Sequence, residues 1–294
     1  MSETKHEHSQ AATKSDSLGV LLVTASAVAW STTGLFTIAI ALDGATMLVW
    51  RGVFGCVGLL IALLLLQGPS GFAGFRHLGR AGWTYAVVSA FGMICFITSL
   101  RLTSVAHVAI IYAVVPFLAA ALAWFLLREA PGRDALIASG VALIGVVIMI
   151  GLGSDGSLAG DALAFGMTLA MAYMMVIARR HPGIPTLPAA ALSALLSAFA
   201  SLPFASGLSV DVDQALLLAA FGLVNSALGL ALFLMGSARI PPVQTALIGA
   251  LDAPLAPLWV WLVFAETPTN ATLLGASIVF GAVLWHILRQ YRRV

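Results

Sequence analysis

Residues 99–131, SLRLTSVAHVAIIYAVVPFLAAALAWFLLREAP, resemble residues 237–268, SARIPPVQTALIGALDAPLAPLWVWLVFAETP. Arg101 pairs with Arg239, Pro116 with Pro254, Trp124 with Trp261 and Glu129 with Glu266, with a one-residue slip after the prolines. Each copy contains an apolar run long enough to cross a bilayer core, which takes ~20 residues at a helical rise of ~1.5 Å. Internal repetition on this scale points to a fold built from two related halves. Five spans separate the copies, an odd number, so the second copy crosses the membrane in the opposite direction.

The composition agrees with a chain whose solvent is lipid. Of 294 residues, 61% are hydrophobic and 9% charged, against roughly 25% charged in a soluble domain. Apolar stretches fall at 18–40, 44–67, 81–100, 105–127, 134–152, 159–178, 187–206, 214–237, 241–265 and 270–288. Backbone polar groups in lipid must be satisfied within the span, so these runs are helices. The expected fold is an all-α integral membrane protein of ten transmembrane helices, arranged as two inverted five-helix repeats over 18–152 and 159–288. Residues 1–17 and 289–294 are expected to be cytoplasmic tails, the first of them disordered.

Charge placement tests the count of ten. Lys5, Lys14, Arg76, Arg80, Arg128, Arg133, Arg179, Arg180, Arg239, Arg289, Arg292 and Arg293 fall on the side of the termini, twelve of the 14 basic residues. The opposite loops hold Arg101 and the acids Asp43, Asp155, Asp161, Asp211, Asp213 and Glu266. The positive-inside rule then makes both termini cytoplasmic. A net charge of +2 gives no footing for nucleic acid. Clusters such as Gly52, Gly55 and Gly58, or Ala106, Ala109 and Ala113, read as faces where helices approach closely, since lipid gives them no hydrophobic reason to associate. Cys56 and Cys95 read as buried small hydrophobes, and His6-Glu7-His8 reads as part of the tail rather than a metal site.

A ten-span chain with a small-residue run, a mid-helix proline and a helix-terminal glutamate in both halves resembles the EamA type of the drug/metabolite transporter superfamily. The resemblance covers essentially the whole chain. Ala29-Trp30-Ser31 is similar to the aromatic-plus-small first helix of that family, and Val49-Trp50-Arg51 to its arginine-bearing second helix. In detail the chain looks closest to the bacterial aromatic amino acid exporter branch. It departs from the pattern at Asp252-Ala253-Pro254, where an acid often stands directly before the proline, and at Arg128, where a glycine often precedes the first glutamate. The resemblance implies export of a small molecule across the bacterial inner membrane.

Ionisable groups inside a span cost ~2.5 to 3.5 kcal/mol on insertion scales, so each needs a reason. Asp252 is the only carboxylate near the middle of a span. Gln244 lies two turns before it and Trp259 two turns after it, on what a continuous helix would make one face. Pro254 and Pro257 are expected to kink that helix and free carbonyls for a substrate amine. The alternative role for Asp252 is a structural pairing with a neighbouring helix through Asn225. Arg51, two turns inside the second span, either grips a substrate carboxylate or snorkels to the interface. His107 stands near the mouth of the fourth span. Trp30, Ser31, Tyr85, Ser89, Tyr112 and Tyr173 place hydroxyls and polar-tipped aromatics at mid-depth, where a wet, aromatic-walled cavity would use them.

Absences narrow the function further. Both lysines lie in the tail, so there is no Walker A motif, and no cofactor is implied. The first span has no carboxylate of the kind that exchanges protons in the small multidrug-resistance relatives. No paired acids or Gly-x-Ser-x-Gly turn support a membrane-embedded enzyme. The sequence reads as a secondary transporter of amino acids or similar metabolites working by alternating access. Its rival of the same class is an exporter of amphipathic drugs, and those of other classes are a membrane enzyme and a non-transporting receptor.

Overall fold

The computed structural model describes residues 2–103, 105–151, 157–265 and 267–291. Asp155, Glu266, Arg292 and Arg293 of the charge map lie outside them. Ten helices are long and apolar enough to cross a membrane: Asp16–Ala39, Gly44–Gln67, Gly79–Ser99, His107–Leu127, Arg133–Ile150, Leu158–Arg180, Thr186–Phe204, Val212–Ser237, Pro242–Phe264 and Asn270–Arg289. They are called the first to tenth spans below. No strand occurs among the described residues. The helix carrying the first span begins at Ser2, so it continues through the polar segment expected to be a disordered tail. Outward-facing side chains are apolar, with Leu65 78% and Leu66 76% exposed, as a lipid-facing surface requires.

Five of the ten spans are not α-helical throughout, the seventh tightening into a 3-10 turn over Leu202–Phe204. The first changes course at Thr32 and resumes as Thr33–Ala39. The eighth carries a π-helical segment, Gly222–Gly229. The fourth divides into Val105–Tyr112 and Val115–Leu127, and the ninth into Pro242–Gly249 and Asp252–Phe264. These last two breaks repeat each other at a constant offset of 137 residues. Val114 N bonds Ile111 O as Leu251 N bonds Ile248 O, a tightened turn at each break. Each second half-helix ends on a left-handed residue, Arg128 at φ 60° and Ala265 at φ 57°, and these are the only non-glycine residues with positive φ among those described. The offset holds from residue 105 onward, so the slip expected after the prolines falls earlier, in the turn before the fourth span. Pro116 consequently sits one position nearer the start of its half-helix than Pro254 does. A proline is well placed in a first turn, where its missing N–H would find no helical partner anyway.

Eight spans close into a ring. In order round it are the fourth, sixth, third, seventh, second, eighth, first and ninth, which returns to the fourth. The fifth and tenth pack on each other and on the fourth and ninth. A side chain on Gly275 would sit 2.3 Å from Gly145 O, which explains why bare backbone faces bare backbone at that crossing.

The two ends of the ring differ. Toward the side bearing the termini, Leu230–Ser237 of the eighth span and Pro242–Gly249 of the ninth reach across to the sixth. Val115, Ala119, Ala172, Met175, Phe233 and Ala246 form a buried cluster there, with Trp30 packed against it. Arg179 lies over it on the terminus side, donating from Nε to Glu129 Oε1 at 3.2 Å and from Nη1 to Arg239 O at 2.8 Å.

On the opposite side the acids of the charge map turn out to have local work. Asp43 accepts from Ala45 N and Thr46 N at the start of the second span, and Asp211 from Gln214 N at the start of the eighth. Asp161 stands in the first turn of the sixth. All three complement the positive end of a helix dipole. Burial pushes the Asp43 carboxyl up, but hydrogen bonds from the Thr46 side chain and from the backbone of Thr46, Ser206 and Ala45 outweigh it and hold the group below its ordinary value.

Candidate functional site

The break in the ninth span gives Asp252 its position. Asp252 is the first residue of the second half-helix, where free N–H groups favour an anion, and Ala253 N donates to its carboxylate. Tyr112, at the matching break in the fourth span, is within electrostatic reach of it. No cation among the described residues forms an ion pair with Asp252. Pro257, inside the half-helix, removes the N–H that would have bonded Ala253 O and leaves an acceptor close to the carboxylate.

The first span forms the neighbouring wall. Trp259 Nε1 donates to Ser31 Oγ at 2.8 Å, joining the ninth span to the first just beyond the break. Trp30 Nε1 donates to Asn225 O at 3.0 Å, and its ring stands 4.9 Å from that of Phe233. The indole can come this close because Gly229 has no side chain: a Cβ there would lie 2.6 Å from Nε1. Asn225 Nδ2 donates to Ala29 O at 3.0 Å and Thr32 Oγ1 at 3.2 Å, while its Oδ1 accepts from Thr33 Oγ1 at 2.9 Å. The alternative pairing of Asp252 through Asn225 is not what the structure shows: Asn225 stitches the eighth span to the first. Asn225 lies within the π-helical segment. Thr32, Thr33 and Phe233 were missed from the sequence. Two adjacent threonines beside an expected site tryptophan were the available signal.

The remaining expected residues divide among other places. Gln244 is buried on the terminus side, because the break separates its half-helix from that of Asp252 and Trp259, so the three share no continuous face. Tyr85 is fully buried among Leu78, Met174, Ile177 and Leu234, with Tyr173 packed on the same cluster and the Tyr85 hydroxyl unpartnered. Ser89 stands half-buried one turn further along the third span. His107 Nδ1 lies 3.1 Å from Asp161 Oδ1, which also accepts from Thr103 Oγ1 at 2.8 Å, so this group ties the start of the fourth span to the sixth, on the side away from the termini.

Arg51 does not snorkel. Its Nη2 lies 3.9 Å from Met93 Sδ of the third span, its guanidinium is 5.4 Å from the centre of the Phe221 ring of the eighth, and its Nε is buried without a partner. A cation–π contact of ~0.5 to 2 kcal/mol does not offset an insertion cost of ~2.5 to 3.5. No described carboxylate pairs with it. One basic and one acidic side chain are thus held within spans of the same ring without an ion-pair partner among the described residues.

Comparison with known proteins agrees with this architecture. A crystal structure described only as that of a protein superposes with a TM-score of 0.80 at 20% sequence identity, over 94% of this chain and 98% of the other, a likeness of fold. No curated protein matches the sequence. The profile of the EamA-like transporter family matches twice, over residues 17–151 and 158–288. That double match, the ten spans and the repeated breaks describe one multi-pass transporter of small molecules, and the chain belongs to the EamA-like transporter family.

Proposed function

We propose that the protein exports amino acids or similar zwitterionic metabolites across the bacterial inner membrane by alternating access, with both termini in the cytoplasm. The observation that carries this reading is Asp252, a carboxylate without a cationic partner at the break of the ninth span. An unpaired acid there suits the ammonium end of a substrate, and a free carbonyl close to it adds an acceptor. Arg51 supplies the complementary cation for a carboxylate. Trp30, Trp259 and Tyr112 give the path aromatic, polar-tipped walls. Alternating access would open and re-form the packed cluster of Val115, Phe233 and Ala246 on the terminus side in each cycle.

Export of amphipathic drugs is the second reading. A cavity of ≈ 520 Å³, lined by Ala109, Met149, Ala256, Pro257, Val260 and Thr272, favours it. Such a pocket among the fourth, fifth, ninth and tenth spans is apolar enough for a drug-sized molecule.

Counterflow in sealed proteoliposomes separates the two. Labelled amino acids should exchange saturably, and ethidium should neither exchange nor compete. Exchange of ethidium with no amino acid moving would replace the first reading by the second.

A further inference from the structure

No acid occurs between residues 44 and 128 or between 162 and 210, the stretches that build the second, third, fourth and seventh spans and most of the sixth. Arg76, Arg80 and Arg180 stand on the terminus side of this acid-free part of the chain. Leu78, Ile177, Ala178 and Ile184 share one buried cluster, and a Cβ on Gly74 would lie 2.9 Å from Pro188 Cγ. The loop between the second and third spans therefore lies against the loop between the sixth and seventh. Several other arginines are already engaged: Arg101 donates to Phe204 O, Arg179 is held by Glu129, and Arg289 pairs with Asp134. By contrast, the side chains of Arg76, Arg80 and Arg180 are exposed and make no hydrogen bond or ion pair among the described residues. Apolar surface adjoins them. Phe72, 43% exposed in the 3-10 segment Pro69–Phe75, stacks on Phe75, and Trp83, one turn beyond Arg80, is 51% exposed. An exposed tryptophan at the end of a span marks the level of the headgroups.

We propose that this corner binds the phosphodiester headgroup of an anionic phospholipid in the leaflet on the terminus side, with Arg76, Arg80 and Arg180 around the phosphate and an acyl chain along Phe72 and Trp83. A guanidinium fork suits phosphate oxygens, and a phospholipid brings a phosphate and an apolar chain to this depth together. Charge decides between headgroups. A zwitterionic lipid carries its own cation, and this corner has no free acid to receive it, whereas an anionic headgroup meets only arginines. Bound there, the lipid bridges the two loops and so links the third span to the sixth. The surface is independent of the transported substrate.

The test reads quenching of Trp83 by brominated lipid, with the full chain in phosphatidylcholine nanodiscs and the Trp83 contribution taken as the difference from Trp83→Phe. Brominated phosphatidylglycerol should be preferred over brominated phosphatidylcholine about threefold or more. Arg76→Gln combined with Arg80→Gln should bring that ratio to about one, and Arg180→Gln should lower it part of the way. Arg128→Gln combined with Arg133→Gln makes the same change of net charge at the turn between the fourth and fifth spans and should leave the ratio unaltered. Equal quenching by the two lipids, or a ratio that survives loss of Arg76 and Arg80, would overturn the proposal. So would an equal fall in the Arg128 and Arg133 variant, the mark of a diffuse field, or abolition of the preference by soluble glycerol phosphate, the mark of a free phosphate ligand.

Discussion

The fourth and ninth spans are the same object in backbone and different objects in chemistry. Both are two half-helices joined by a tightened turn, and both end on a left-handed residue at a constant offset. At that offset Val115 stands where Asp252 stands, Tyr112 where Gly249 stands, and His107 where Gln244 stands. Repetition supplies two broken helices able to present free carbonyls and a half-helix N-terminus to the ring, and only one of them carries an acid at its break. On the proposed reading, symmetry belongs to the machinery of motion, and asymmetry to recognition.

Moving the acid tests this division most severely. The exchange Asp252→Val with Val115→Asp keeps the composition and both breaks. It should reduce amino acid counterflow at least tenfold, because the acid would leave the neighbourhood of Trp259 and Ser31. Near-normal exchange would show that either break can serve.

Asn225→Ala comes next and bears on the other distinction between the halves, the stitch of the eighth span to the first. Three side-chain hydrogen bonds are lost, at ~0.6 kcal/mol each by the average for membrane interiors, or about 2 kcal/mol together. Reversible unfolding in detergent–lipid mixtures should show a loss of that order. A value near zero would mean that packing at Gly229 alone holds the two spans.

The shared backbone makes a symmetric prediction. A non-glycine residue in the left-handed region costs roughly 1 kcal/mol, which glycine avoids. Ala265→Gly and Arg128→Gly should each stabilise the protein by about that amount in the same unfolding assay. Unequal gains would show that the two caps are not equivalent.

The smallest effect concerns Asp43, the cap of the second span, whose counterpart at the start of the seventh, Pro185, carries no acid. Its carboxyl is held below the ordinary value, so its contribution is present above the unfolded-chain value of ~3.9 and is lost as pH falls through the lower folded value. Stability measured from pH 5 down to pH 2 should fall slightly less steeply in Asp43→Asn than in the wild type.

Much of this fold was legible because lipid imposes strong rules: hydropathy gave the spans, and the odd number of spans between the copies gave the inversion. The prolines at 116, 254 and 257 announced irregular helices, but not that a break would separate Gln244 from Asp252. Nor did an apolar run reveal π-helical winding at Gly222–Gly229, because that choice is made by packing against the first span. The carboxylate at 252 stood out because burying it is expensive. Thr32 and Thr33 did not, since hydroxyls are cheap to bury when they bond their own helix and only contact with Asn225 gives them a further part.

The most direct test of the account is counterflow of a labelled amino acid panel in proteoliposomes, comparing wild type with Asp252→Asn under zero and imposed pH gradients. The account predicts saturable exchange in the wild type, with a loss of at least tenfold in the variant at unchanged reconstitution and unfolding behaviour. Wild-type exchange that survives intact in Asp252→Asn would contradict it and remove the ninth-span carboxylate from the site.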